Sequence, residues 1–141
     1  MSSSARGSVA PLVAAVSAGG ALGALTRHTL DALWPPASSG VSWTILAVNV
    51  TGCLLIGLLM ELIVHRWPGN RLVRPFWGVG FLGGYTTFSA YAADVVTALE
   101  RGEPRVALAY LLLTVAGALT AAWAASALAH RFLTHGGGRN P

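Results

Sequence analysis

Charge is what this sequence has least of. Only 10% of its 141 residues are charged, against about 25% in an average soluble domain. All nine basic residues are arginine, none is lysine, and five acidic residues leave a formal charge of +4. A nucleic-acid-binding protein can share that sign, but not this scarcity of charge. Cysteine is almost missing: Cys53 stands alone, which excludes an internal disulfide framework and a cysteine zinc cluster. The long apolar stretches described below hold no histidine and no acidic residue. The chain therefore lacks the paired acids, or the nucleophile with its base, that chemistry at membrane depth requires, and it is read as no enzyme. Disorder is excluded by an apolar share of 54% and a mean hydropathy of +0.61.

Four uncharged apolar stretches cover 9–25, 41–60, 75–93 and 106–129. A bilayer core of about 30 Å takes roughly 20 helical residues, so each is long enough to span. The expected fold is all-α: one integral membrane domain over 1–141. Its transmembrane helices are expected at about 9–30, 41–64, 75–99 and 105–131, the third broken near 83–87. Connections at 31–40, 65–74 and 101–105 are too short for a second domain, and 1–8 and 136–141 read as polar, mobile tails. The first stretch has features of a signal peptide. Gly19, Gly20 and Gly23 interrupt it and three more spans follow, so it is read as retained.

Arginines report orientation. One side of a four-span chain would carry Arg6, Arg66, Arg71, Arg74, Arg131 and Arg139; the other would carry Arg27, Arg101 and Arg105. That bias favours both termini inside the cell.

Polar residues inside the stretches mark candidate sites. Asn49 lies near the middle of the second, where an amide needs a partner and its NH₂ offers two protons. It can serve an anion or simply bond a neighbouring helix. The third contains Gly83-Gly84-Tyr85-Thr86-Thr87. Paired glycines followed by paired threonines disfavour a continuous helix, and a break would free carbonyls for a cation and N–H groups for an anion. Phe88 and Tyr91 then share a helical face, so their electropositive ring edges can converge on a small anion or pack as ordinary core. Tyr110 and Thr114 line one face of the fourth helix, as a hydroxyl track or as back-bonded hydroxyls. Arg27 closes the first span and can either concentrate anions at a vestibule or snorkel. Gly19 and Gly23, like Gly80 and Gly84, form GxxxG pairs that fit intrachain packing or a dimer.

Three segments carry a resemblance: Gly19-Gly20-Ala21-Leu22-Gly23-Ala24-Leu25-Thr26-Arg27, Asn49-Val50-Thr51-Gly52 and Gly83-Gly84-Tyr85-Thr86-Thr87-Phe88-Ser89. They resemble the CrcB/Fluc fluoride channels across all four spans. The resemblance implies a fluoride-selective channel for passive export, an antiparallel dimer in the plasma membrane surrounded by lipid, and a structural sodium ion at the dimer interface. It implies that the backbone carbonyls of Gly83 and Thr86 hold the sodium. Asn49, Phe88, Tyr91, Tyr110, Thr114, Ser89 and Arg27 are implied along the anion pathway. The sequence departs from the family pattern at four places: Tyr91 replaces a second phenylalanine, Ile45 a threonine, and Ala118 and Ala122 thin the hydroxyl track. Together with the arginine bias, this suggests pairing with a homologous subunit of opposite orientation as an alternative to a homodimer. A small proton-coupled drug antiporter is the competing class, disfavoured because Glu61 and Asp94 sit at helix ends; a purely structural membrane protein leaves the third-span motif unexplained.

Overall fold

A computed structural model describes residues 4–35 and 41–135, with side chains over 9–35 and 41–134. The tail readings at 1–3 and 136–141, and 36–40 of the first connection, lie outside the described residues. Those residues form α1 (Ser4–Leu33), α2 (Trp43–Arg66), α3 (Arg74–Leu82), α4 (Gly83–Tyr85), α5 (Phe88–Glu100) and α6 (Pro104–His135).

The boundaries follow local chemistry. The Ser42 hydroxyl accepts the Ile45 N–H at 3.2 Å and opens α2. His65 and Arg66 in its last turn suit the negative end of the helix dipole. Gly102, at φ +75°, takes the left-handed position after α5. Glu103 N–H then reaches the Ala98 carbonyl and Gly102 N–H the Leu99 carbonyl, each at 2.9 Å, a Schellman stop. Pro104 opens α6, where its missing N–H costs nothing.

Among the described residues, three helices are long and apolar enough to cross a membrane: Val9–Leu33, Trp43–Arg66 and Pro104–Thr134. The third expected span is instead divided. Arg74–Leu82 is wound as a π-helix, and after Gly83–Tyr85 the backbone turns extended at Thr86 (ψ 155°) and Thr87 (φ −145°, ψ 125°) before α5 begins. The extended residues are the threonines, not the glycines: Gly83 stays helical at φ −65°.

Two parallel helix pairs build the molecule. Along α2 and α6, Ser42 meets Tyr110, the bare face of Gly57 meets the Ala122 backbone, and Glu61 meets Ser126. Along α1 and the α3–α4 segment, Gly19 faces Phe76 and Gly80, Gly23 faces Phe81, and Gly84 faces Gly20. A Cβ at Gly23 or Gly84 would run into the carbonyl opposite. The two GxxxG pairs are thus spent on each other within the chain, as close backbone packing requires.

Three expectations are corrected. Residues 4–8, read as tail, begin α1. Arg27 does not close the first helix, which runs on to Leu33 because no helix-breaking residue intervenes. Asp94 does not sit at a helix end. It lies inside α5, where its Oδ2 accepts from the Tyr110 hydroxyl at 2.9 Å and from Ser42 N–H at 3.2 Å. Asp94 itself is half-buried, and the two donors offset what its carboxylate loses in solvation.

Candidate functional site

The two polar motifs of the second and third stretches dock on each other. The Asn49 amide reaches the break and bonds both backbone groups of one residue: Thr87 N–H donates to Oδ1 at 2.9 Å, and Nδ2 donates to the Thr87 carbonyl at 3.0 Å. Two residues on, on the opposite face of α2, the Thr51 hydroxyl lies 3.0 Å from that of Tyr85. Gly52 has no side chain, which lets Tyr85 and the Thr86 methyl lie against α2.

These bonds explain the break. In an unbroken helix Thr87 N–H would cover the Gly83 carbonyl; Asn49 takes it instead. Ala90 N–H would cover the Thr86 carbonyl; the Thr87 hydroxyl accepts it at 3.2 Å, as the cap of α5. The donors for the Gly83 and Thr86 carbonyls are therefore both engaged elsewhere.

Beside the break a cleft of about 310 Å³ opens between α2, α5 and α6. Its lining includes Asn49, Thr86, Thr87, Phe88, Tyr91 and Thr114, with Ala118 on the α6 side. Asn49 and Thr114 are 8% and 4% exposed, whereas Phe88 is 80% exposed. The Phe88 and Tyr91 rings lie 5.8 Å apart and tilted by 59°. Tyr91 is buried, its hydroxyl directed to the Leu111 carbonyl at 3.3 Å.

Of the residues expected in the pathway, Asn49, Phe88, Tyr91 and Thr114 share this cleft. Tyr110 is not among its lining; its ring stands 5.7 Å behind Tyr91 and its hydroxyl serves Asp94 and the Ser42 carbonyl. The Thr114 hydroxyl is back-bonded to the Tyr110 carbonyl at 2.8 Å, which leaves its oxygen as an acceptor. Ser89 is exposed and pairs with the Thr87 hydroxyl at 3.3 Å. Arg27 lies apart, its Nε 3.4 Å from the Gly84 carbonyl, tying α1 to α4 just before the break. Sequence reasoning missed Thr87 as the residue that Asn49 grips and Asp94 as the anchor of Tyr110. A threonine three residues before Ala90 N–H was a readable cap signal; the Asp94 pairing is long-range and left none.

A larger groove of about 480 Å³, lined by Trp34, Trp43, Val48, Thr51 and Tyr85 among others, lies on the other side of α2. Its side-chain polar groups are the Thr44 and Thr51 hydroxyls, both bonded within the chain, the Tyr85 hydroxyl that faces Thr51, and the indole N–H groups of Trp34 and Trp43. It carries none of the convergent groups of the smaller cleft.

Comparison with known proteins agrees with the motifs. Residues 14–126 match the family model described as CrcB-like protein, Camphor Resistance (CrcB). The fluoride-specific ion channel FluC 2 of Streptomyces avermitilis is 51% identical over 75% of this chain and 67% of its own length. FluC 1 of Streptomyces coelicolor is 46% identical over 88% of this chain and 80% of its own. The FluC channel of Rhizobium meliloti is 44% identical over 80% of this chain and 91% of its own. The chain therefore belongs to the CrcB/FluC family of fluoride-specific ion channels.

Proposed function

We propose that this chain is a fluoride-selective channel subunit that lets cytoplasmic fluoride leave passively across the plasma membrane and so reduces its toxicity. The observation that carries this reading is the cleft at the break. There Asn49, whose amide keeps a second N–H beyond the one held by Thr87, meets the ring pair of Phe88 and Tyr91. Fluoride is strongly hydrated, so its path must replace water with N–H donors and ring edges. Such partners hold an anion without a fixed countercharge and so allow it to leave. Thr114, Ser89, Tyr110 and Arg27 complete the proposed pathway, Tyr110 and Arg27 by supporting its walls.

The path needs a second subunit. Extended backbone at membrane depth persists only where protein or a cavity covers it. In one chain Phe88 and Ser89 are exposed beside that backbone, and a Cβ on Gly83 would meet nothing within 4 Å. A second, oppositely oriented copy packed over Gly83 would cover this face and complete the four-span, broken-helix domain as an antiparallel dimer. The six-to-three arginine bias favours a second version, in which the partner is a homologous subunit of opposite orientation.

The carbonyls of Gly83 and Thr86 suit a structural sodium ion at that interface, since the N–H groups that would cover them are held by Asn49 and Thr87. Bound there, sodium supplies a fixed positive charge at the break. Fluoride release from liposomes containing only this chain tests the reading: release supports a homodimeric channel, and a dimer without release removes it.

A further inference from the structure

Three ligand-bearing side chains meet far from the cleft. Glu61 and His65 lie one turn apart on α2, and His130 faces them from α6. Glu61 Oε2 is 3.2 Å from His130 Nδ1 and 3.8 Å from His65 Nδ1, and one ligand atom from each residue fits within a mutual separation of 4.8 Å. The two imidazoles stand edge to face, 6.0 Å apart. Glu61 is oriented by a further bond: the Ser126 hydroxyl donates to Oε1 at 3.1 Å, leaving Oε2 toward the histidines. His65 Nδ1 also lies 2.9 Å from the Glu61 backbone carbonyl.

We propose that Glu61, His65 and His130 form a binding site for one zinc-class divalent cation that clips α2 to α6 at the membrane face. Two imidazoles and one carboxylate are a recognised zinc donor set, and tetrahedral zinc with bonds near 2.0–2.1 Å places its ligands about 3.3 Å apart. The Glu61–His130 separation already matches this. His65 and His130 are both exposed, so their rings can turn to bring the remaining ligand atoms, now within 4.8 Å of one another, to that spacing. Ser126 holds the carboxylate's second oxygen, and an Nδ1–H bond from His65 to the carbonyl would leave Nε2 as its ligand atom, the outer bonding usual around such ions. Nitrogen donors favour zinc over magnesium or calcium, which prefer oxygen. Glu61 follows Asn49 by twelve helical residues, about 18 Å along the axis. With Asn49 near the midplane, the site reaches headgroup depth, where ions from water can enter.

The test is calorimetric titration of the purified chain, without a histidine tag, with zinc chloride and separately with magnesium chloride. The proposal expects one zinc per chain, no competing magnesium binding, and at least a tenfold loss of affinity in His130→Ala and in His65→Ala. Fluoride release in both variants should stay at the wild-type level, because neither residue lines the cleft. Absence of saturable zinc binding, or unchanged affinity in the double variant, overturns the proposal. If the variants fail to fold, cobalt(II) titration of the wild-type chain decides. A strong visible band of a four-coordinate ion, displaced by zinc, supports the site; only the pale spectrum of a six-coordinate ion overturns it. Both readouts are of binding, so they stand or fall apart from fluoride conduction.

Discussion

Asn49 holds Thr87 by both of its backbone groups, the N–H at 2.9 Å and the carbonyl at 3.0 Å. One amide thus does what a neighbouring turn of helix would otherwise do, and the break in the third stretch is fixed from α2. Neither aspartate nor alanine can replace both bonds. Aspartate would set a carboxylate against the Thr87 carbonyl and put negative charge beside the proposed anion path. Alanine would leave the half-buried Thr87 N–H and carbonyl unmet, at a cost of about 1 kcal/mol or more. Asn49→Asp is expected to abolish fluoride release while the dimer persists, and Asn49→Ala to lower the melting temperature as well. Release assays and thermal melts in detergent check both.

Gly83 and Gly84 separate packing within the chain from the packing proposed between chains. A Cβ at Gly84 would strike the Gly20 carbonyl, whereas one at Gly83 would meet nothing within 4 Å. Gly84→Ala should destabilise the fold by about 1–3 kcal/mol, as overpacking does. Gly83→Ala should leave the protomer's stability unchanged and weaken the dimer. Melting curves and a dimer dissociation assay distinguish the two.

Tyr91 and Phe88 should respond differently to loss of polarity and loss of the ring. Tyr91→Phe gives up the bond to the Leu111 carbonyl but keeps the ring edge, so fluoride release should survive. Phe88→Ile removes the ring from a residue that is 80% exposed in the protomer. It should leave stability near wild type and abolish release.

Tyr110 is a structural anchor on this account. Its side chain is 2% exposed and its hydroxyl reaches Asp94 Oδ2 and the Ser42 carbonyl. Tyr110→Phe leaves the Asp94 carboxylate short of a donor and should cost about 1–3 kcal/mol. Tyr110→Phe combined with Asp94→Asn should recover part of that loss, which a double-mutant cycle of thermal melts would reveal.

Much of this was legible in the sequence because membranes simplify the code. Uncharged runs of the right length marked the helices, and the stretch at 83–87 marked the break. Which residues would break was less legible. The paired glycines and threonines marked the break as a whole; within it Gly83 and Gly84 stay helical, while Thr86 and Thr87 extend because Asn49 takes the Thr87 backbone and the Thr87 hydroxyl caps Ala90 N–H. The cap is local, but the grip of Asn49 on Thr87 is a tertiary contact across 38 residues, and no local pattern encodes it. The π winding of Arg74–Leu82 left no local signature either. Asp94 was misjudged for a simple reason: charge was read as the end of an apolar run, but a buried tyrosine hydroxyl can carry a carboxylate further into a helix.

The central claim is that fluoride crosses at the cleft beside the Asn49–Thr87 junction. The direct measurement is fluoride release from liposomes loaded with fluoride and holding wild-type, Asn49→Asp or Phe88→Ile protein, each verified as a dimer. The account predicts rapid release from the wild type and none from either variant. A wild-type dimer that releases no fluoride, or release that persists in both variants, contradicts it.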